Sequence, residues 1–473
     1  MRNRDVTYQQ RLQSALTSHI LRGVRDPWRP AWHLSAPIGY LYPPGGFCYY
    51  QGRYQLFYQW DPFSQEEGRC CWGHINSPDL LRWYVQPPPL LPGEIYDRDG
   101  CTSGSVIAKG GDLHLIYTGN VNLPQGLKIS HQCMAIRDHR HVWNKQGLVV
   151  ELPEGYGAQM RDPKVWLHLG KYYLLLGAQT QERQGQVLLY RSGDLKGWEL
   201  LGAIAGCGMG VPSDFGYMWE SPELFELEEQ HFLLCCPHGI CGQGTGDQAY
   251  VDARAGYFCG DFDYEQAQYT HGSFHELDWG FDFYAPQTCE DEQGRRLMLG
   301  WLANPLEESH DHPSCQAGWA HCMSMVRELV AKGDKLYQRP LVEYQKLRDE
   351  QKSWQGQAQP GDHFWVEQAE IQLSPQGRFF LEIRGQLRIH YQEGRLVLER
   401  KHWLDERWQT RSWLGDVERL ELFFDHSTLE IFINQGEAVM SSRFYARENP
   451  AELIVQQGTP GLSYWPLKSF SIF

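Results

Sequence analysis

The chain has no run of basic residues. Its 43 Lys and Arg are outnumbered by 58 Asp and Glu, a formal net charge of −15, so no nucleic-acid partner is expected. It also lacks any run of eighteen apolar residues, so no membrane-spanning helix is read from it. The start, Met1-Arg2-Asn3-Arg4-Asp5, carries neither the apolar core nor the cleavage site of a secretion signal. The adjacent pairs Cys70-Cys71 and Cys235-Cys236 lack the CxxC spacing of metal sites, and the total of thirteen cysteines is odd. Together these absences give reduced thiols in a cytoplasmic protein. One surplus stands out. Aromatic residues make up 13% of the chain, with eighteen Trp, which fits sugar-stacking surfaces and core filling equally.

What is present is a repeat. A turn residue followed by a short apolar run opens units at Gly52, Gly111, Gly170, Glu229 and Gly294, a step of 59 residues three times and then 65. Five β-rich units at this period predict a five-bladed β-propeller. The first strand of each blade lines a common axis, so equivalent positions face one cavity. Asp162, eight residues before Gly170, and Glu220, nine before Glu229, meet there. The segments Ser77-Pro78-Asp79-Leu80 and Ser192-Gly193-Asp194-Leu195 read as one outer turn used twice.

In chain order, residues 1–30 are a helical lead-in with Leu12, Leu16 and Ile20 at helical spacing, and residues 31–335 hold the propeller. Residues 336–360, charged and then Gln/Gly/Pro-rich, read as a linker. Period-two alternation from residue 361 to 473, as in Phe379-Phe380-Leu381-Glu382-Ile383, predicts an antiparallel β-sandwich. The fold class is therefore all-β. Oligomeric state is not legible.

Two carboxylates in one cavity are the minimum for acid–base work on a glycosidic bond. Met218, Trp219 and Pro222 flank Glu220, and apolar neighbours raise a carboxyl pKa, as a proton donor needs. Arg161 beside Asp162 is expected to keep that group ionised. At this point the chain resembles glycoside hydrolase family 32, the invertases and sucrose-6-phosphate hydrolases. The resemblance rests on Arg161-Asp162-Pro163, Trp219-Glu220-Ser221-Pro222, Phe57-Tyr58-Gln59, Trp72-Gly73-His74 and Asp99-Gly100-Cys101-Thr102-Ser103-Gly104-Ser105. Asp282-Phe283-Tyr284-Ala285-Pro286-Gln287 and Gly318-Trp319 belong to it too, as does Leu429-Glu430-Ile431-Phe432-Ile433-Asn434 near the C-terminus. It implies hydrolysis of β-fructofuranosides such as sucrose or sucrose-6-phosphate, with retention and without metal or organic cofactor. It implies Glu220 as acid/base and Asp162 as transition-state stabiliser. Gln59, Ser103, Arg161, Asp282 and Trp301 would line the fructose pocket.

One motif is broken. The family's nucleophile is an aspartate in the first blade, and Pro43 occupies its place in Tyr40-Leu41-Tyr42-Pro43-Pro44-Gly45-Gly46. No Asp or Glu occurs between Asp26 and Asp61. A retaining mechanism needs a carboxylate about 5–5.5 Å from the acid, and loss of a nucleophile costs on the order of 10³–10⁶ in rate. Attack by Asp162, Asp61 or a water, a fructoside-binding paralogue without turnover, and a bare scaffold are the alternatives. The surviving Arg161, Asp162, Glu220 and Asp282 argue against the scaffold, and Pro43 favours impaired catalysis. Lys164, Arg183 and Arg69 read as solvated surface charges, so recognition of a phosphorylated sugar rests on resemblance alone.

Overall fold

The computed structural model describes residues 3–22, 26–63, 69–240, 253–306, 311–446, 451–469 and 471–472. Met1 and Arg2 of the start discussed above lie outside them. Among the described residues no helix is long and apolar enough to cross a membrane.

Five antiparallel sheets form the propeller. Their inner strands are Gly39–Tyr50, Cys101–Lys109, Tyr156–His168, Met218–Leu227 and Tyr284–Glu290. Each packs against the next, and the fifth packs against the first, so the ring closes. The periodic turn residues have a backbone reason. Gly52, Gly111, Gly170, Glu229 and Gly294 all have φ between 66° and 86° and connect the first and second strands of their blades. In the first four blades the preceding residue (Gln51, Gly110, Leu169, Glu228) also has positive φ, the signature of a two-residue type I′ hairpin. The outer turn used twice is real as well. Asp79 and Asp194 each accept two backbone N–H bonds, while Trp83 and Trp198 donate to the carbonyls of Leu80 and Leu195.

The first blade is widened at both edges. Trp319–Ala320 pairs in parallel with Gly39–Tyr50, and Ser471–Ile472 with Arg82–Leu90. The linker assignment for 336–360 needs correcting. Lys335–Pro340 is the outer strand of the fifth blade and Trp354–Gln357 an edge strand of the sandwich, with 3₁₀ turns between. Polar composition concealed both: Trp354–Gln357 exposes every side chain, and Lys335–Pro340 buries only Leu336 and Gln338. The sandwich itself consists of two six-stranded sheets closed on a core that includes Leu381, Leu398, Phe424 and Ile431.

A buried ionic seam joins the two parts. The N–H groups of Ala31, Trp32 and His33 all donate to the Asp425 carboxylate at 2.7–2.9 Å. The His33 ring lies between Asp425 and Glu430, at 2.9 and 3.0 Å. Arg327 binds Glu430 at 2.6 Å and also reaches Asp278. Gly280 leaves no room for a Cβ, which would sit 2.1 Å from the Ser441 carbonyl oxygen. The sandwich therefore grips the chain just before Tyr284, and so helps to place the inner strand of the fifth blade.

Candidate active site

Each inner strand carries a bulge at the same height, opposite the end of its blade's second strand. The register slips between Leu41 and Pro44, between Thr102 and Gly104, around Asp162-Pro163, between Glu220 and Glu223, and between Tyr284 and Gln287. A bulge turns side chains off the sheet's normal alternation. Here it does so five times around one axis. Asp162 and Ser221 accept positive φ, 63° and 49°, to make it.

The sequence period reappears as contacts between blades. Ser103 Oγ donates to Asp162 Oδ1, and Ser221 N donates to Asp162 Oδ2 at 2.8 Å. Arg161 Nε and Nη2 both donate to Glu220 Oε1, at 2.7 and 2.6 Å. Every one of these pairs is separated by 59 residues. Below them Lys164 spans the axis to Glu223 Oε1 and to the Thr288 carbonyl at 3.1 Å, and Gln287 Nε2 donates to the Gly104 carbonyl. These side chains close the floor. Lys164 is therefore no solvated charge, contrary to the reading from sequence: the axial position that the repeat gives it places it inside.

Other expected residues fall as follows. Gln59 Nε2 donates to the Pro43 carbonyl at 3.3 Å, and Trp301 Nε1 to the Leu41 carbonyl at 2.8 Å. The Tyr42 ring lies 6.0 Å from that of Trp301, which is the cross-strand partner of Tyr284. Pro43 stands in the bulged stretch of the first inner strand, which slips register twice, from Leu41 to Pro44 and from Pro44 to Gly46. Asp61 is buried, accepts from Phe63 N, and acts electrostatically on Tyr8, Cys70 and Cys71. Asp282 is not in the pocket. It is wholly buried at the seam, where Oδ2 accepts from Arg400 Nη1 and Arg443 N. Its motif places Tyr284 at the site instead.

Two site residues escaped the sequence reading. Glu220 Oε2 accepts from Tyr284 OH at 2.7 Å and lies 2.9 Å from His238 Nε2. Tyr284 lay inside a recognised motif, but His238, at the end of the fourth blade's second strand, carried no signal beyond its place in the repeat. These partners reverse the expected electrostatics. Burial pushes the Glu220 carboxyl up, but Arg161, His238 and Tyr284 outweigh it and hold the group well below the usual carboxylate range. Asp162 is raised, first by burial and then by the neighbouring Glu220 charge, against the pull of Arg161, Ser103 and Ser221 N. Burial is the largest single influence on Glu220, and it takes Arg161, His238 and Tyr284 together to outweigh it.

Among the described residues no three His, Cys, Asp or Glu side chains cluster so as to hold a metal ion. A cavity of about 570 Å³ lies between the fourth blade and the sandwich, with Phe274, Trp279 and Trp413 in its walls, and neither Asp162 nor Glu220 lines it.

Comparison with known proteins agrees with this architecture. Residues 33–340 match the glycosyl hydrolases family 32 N-terminal domain and residues 347–466 the family 32 C-terminal. The sucrose-6-phosphate hydrolase of Klebsiella pneumoniae is 42% identical over 451 residues, 94% of this chain and 95% of that protein. The Bacillus subtilis sucrose-6-phosphate hydrolase is 40% identical over 430 residues, 89% of each. A Bombyx mori β-fructofuranosidase structure superposes with a TM-score of 0.87 at 30% identity, covering 100% of both chains. The chain thus belongs to glycoside hydrolase family 32, the family of the sucrose-6-phosphate hydrolases and invertases, as a five-bladed propeller joined to a β-sandwich.

Proposed function

We propose that this protein binds the terminal fructosyl unit of sucrose or sucrose-6-phosphate in the axial pocket, in the cytoplasm, and hydrolyses it very slowly. The observation that carries this is the interlocked set Ser103–Asp162–Ser221 and Arg161–Glu220, together with a bulge of the first inner strand that carries Pro43 where a carboxylate is needed. Asp162 holds the ring hydroxyls and Glu220 protonates the leaving oxygen. Arg161, Ser103, Gln59 and Trp301 shape the pocket. Proline offers no lone pair on its side chain to attack the anomeric carbon. In the free protein Glu220 is ionised. A sugar that draws Arg161 toward its own hydroxyls releases the carboxyl to the effect of burial, and its proton affinity rises.

Sucrose-6-phosphate is what the bacterial relatives are named for. An aspartate-to-alanine variant of the Bombyx mori enzyme was solved in complex with sucrose, so loss of an aspartate and sugar binding coexist in a relative. The twelve described cysteines are all free, which supports the cytoplasm. Calorimetric titration with fructose and sucrose tests the reading. Saturable binding that weakens at least about tenfold in Asp162→Asn, the loss of one charged hydrogen-bonding group, is expected. No heat with either sugar would leave the propeller as a scaffold and overturn it.

A further inference from the structure

The phosphate of sucrose-6-phosphate is carried by the leaving glucose, so it must lie at the mouth of the pocket rather than on its floor. A chain of net charge −15 repels a dianion unless a cation waits there. The pocket's own cations are occupied. Arg161 is bound to Glu220 and Gln159, and Lys164 to Glu223.

Lys128 differs. It is the first residue of the third strand of the second blade, Lys128–Arg137, paired with Asn122 at the end of the strand Asp112–Asn122. That is the end of the blade at which the site opens, since Gln59 and His238 lie near or at the ends of the corresponding strands in their blades. Two further contacts fix the corner. Asn120 Nδ2 donates to Thr102 Oγ1, beside Ser103, and Cys101 N donates to the Cys70 carbonyl. Lys128 is exposed, and among the described residues its ammonium makes no hydrogen bond or ion pair. It stands close enough to Arg161, Cys70, Glu220 and Asp162 for their charges to act on it. Although the residue as a whole is exposed, the crowding of protein around its ammonium, and then Arg161, lower its pKa, so an anion in contact with it would relieve an existing cost.

We propose that Lys128 is the specificity-determining residue for a phosphorylated substrate, its ammonium binding the phosphomonoester of the leaving hexose. This rests on the fructosyl-binding reading above. A charge-assisted contact of this kind is worth roughly 10–100-fold in affinity.

The test is calorimetry with sucrose and sucrose-6-phosphate on the natural protein, Lys128→Met and Lys128→Arg. The natural protein should prefer sucrose-6-phosphate at least about tenfold, and that preference should weaken as salt rises. Lys128→Met should bring the ratio close to one, and Lys128→Arg should keep most of it. Equal affinity of the natural protein for both sugars overturns the assignment, as does a preference that survives in Lys128→Met. If neither sugar binds the natural protein, the fructosyl reading fails and this assignment fails with it, so the two failures are told apart by sucrose alone. The salt dependence needs no variant and would refute the idea by itself if it were flat.

Discussion

Glu220 sits under opposing influences, and the balance can be moved one atom at a time. Burial favours its neutral form, while Arg161, His238 and Tyr284 favour the carboxylate. Removing the Tyr284 hydroxyl takes away one donor to Oε2, so Tyr284→Phe should raise the Glu220 pKa. Any hydrolysis that needs Glu220 protonated then extends to higher pH. The alkaline limb of kcat/KM, measured in Tyr284→Phe against the parent, should move upward, and a limb that stays in place would show that the hydroxyl does not tune this acid. Glu220→Gln should abolish whatever residual hydrolysis exists. At this scale the sequence was informative where chemistry is local to a motif, as with Arg161-Asp162 and Trp219-Glu220. It misled where a partner arrives from another strand. The apolar neighbours of Glu220 suggested a raised pKa, yet the deciding groups are 59, 18 and 64 residues away. Asp282 was misplaced for a related reason: its motif spans both the seam and the site, and only Tyr284 belongs to the latter.

At the scale of the element, the repeated bulge is what turns five similar strands into a site, and close backbone contact between blades holds it in register. Gly177, on the second strand of the third blade and paired with Arg161, shows how tight that contact is. A Cβ there would lie 2.2 Å from the Trp219 carbonyl oxygen, on the strand that carries Glu220. Backbone cannot yield as a side chain does, so Gly177→Ala should cost roughly 1–3 kcal/mol and displace Glu220. A fall in the urea midpoint together with weaker sucrose binding is expected, and an unchanged midpoint would contradict the packing described. The blades were readable in advance because type I′ hairpins force positive φ at a fixed step, and glycine marks it four times out of five. The bulges were not readable. They use Asp162, Ser221 and Ala285 at positive φ, residue types with no shared signature.

At the scale of the molecule, the seam between propeller and sandwich is ionic and buried, and this makes stability depend on pH. Both nitrogens of His33 face carboxylates, so both must donate and the ring is an imidazolium. Burial pulls its pKa down, but the hydrogen bonds to Asp425 and Glu430 leave it above the ordinary 6.5. A raised folded pKa stabilises below the unfolded value and is lost as pH climbs through the folded one. Glu276, raised to about 7 by burial against the pull of Arg254, and Asp278, raised to about 6 by burial against the pull of Arg327, act in the same direction. Asp278 and Glu276 therefore lower stability as pH rises from about 4 to about 7, and above that the remaining fall belongs to His33 as pH climbs from 6.5 through its folded value. His33→Gln should flatten that slope while lowering stability at pH 6 by about 3–5 kcal/mol, the cost of breaking a buried ion pair. Denaturant midpoints across this range decide it: identical slopes in the two proteins would deny His33 the role. None of this was legible in the sequence, where His33, Asp425 and Glu430 are almost 400 residues apart. The supposed linker failed for the same reason, since it is the sheets on either side that recruit Lys335–Pro340 and Trp354–Gln357.

The central claim is that the whole recognition apparatus stands around one absent carboxylate. The measurement that reaches it most directly is the initial rate of sucrose and sucrose-6-phosphate hydrolysis by the natural protein and by Pro43→Asp. Very slow turnover in the natural protein, raised by at least about a hundredfold in Pro43→Asp, within the losses seen when nucleophiles are removed, is the expected result. Turnover in the natural protein at the level of its sucrose-6-phosphate hydrolase relatives, unchanged by the substitution, would contradict it.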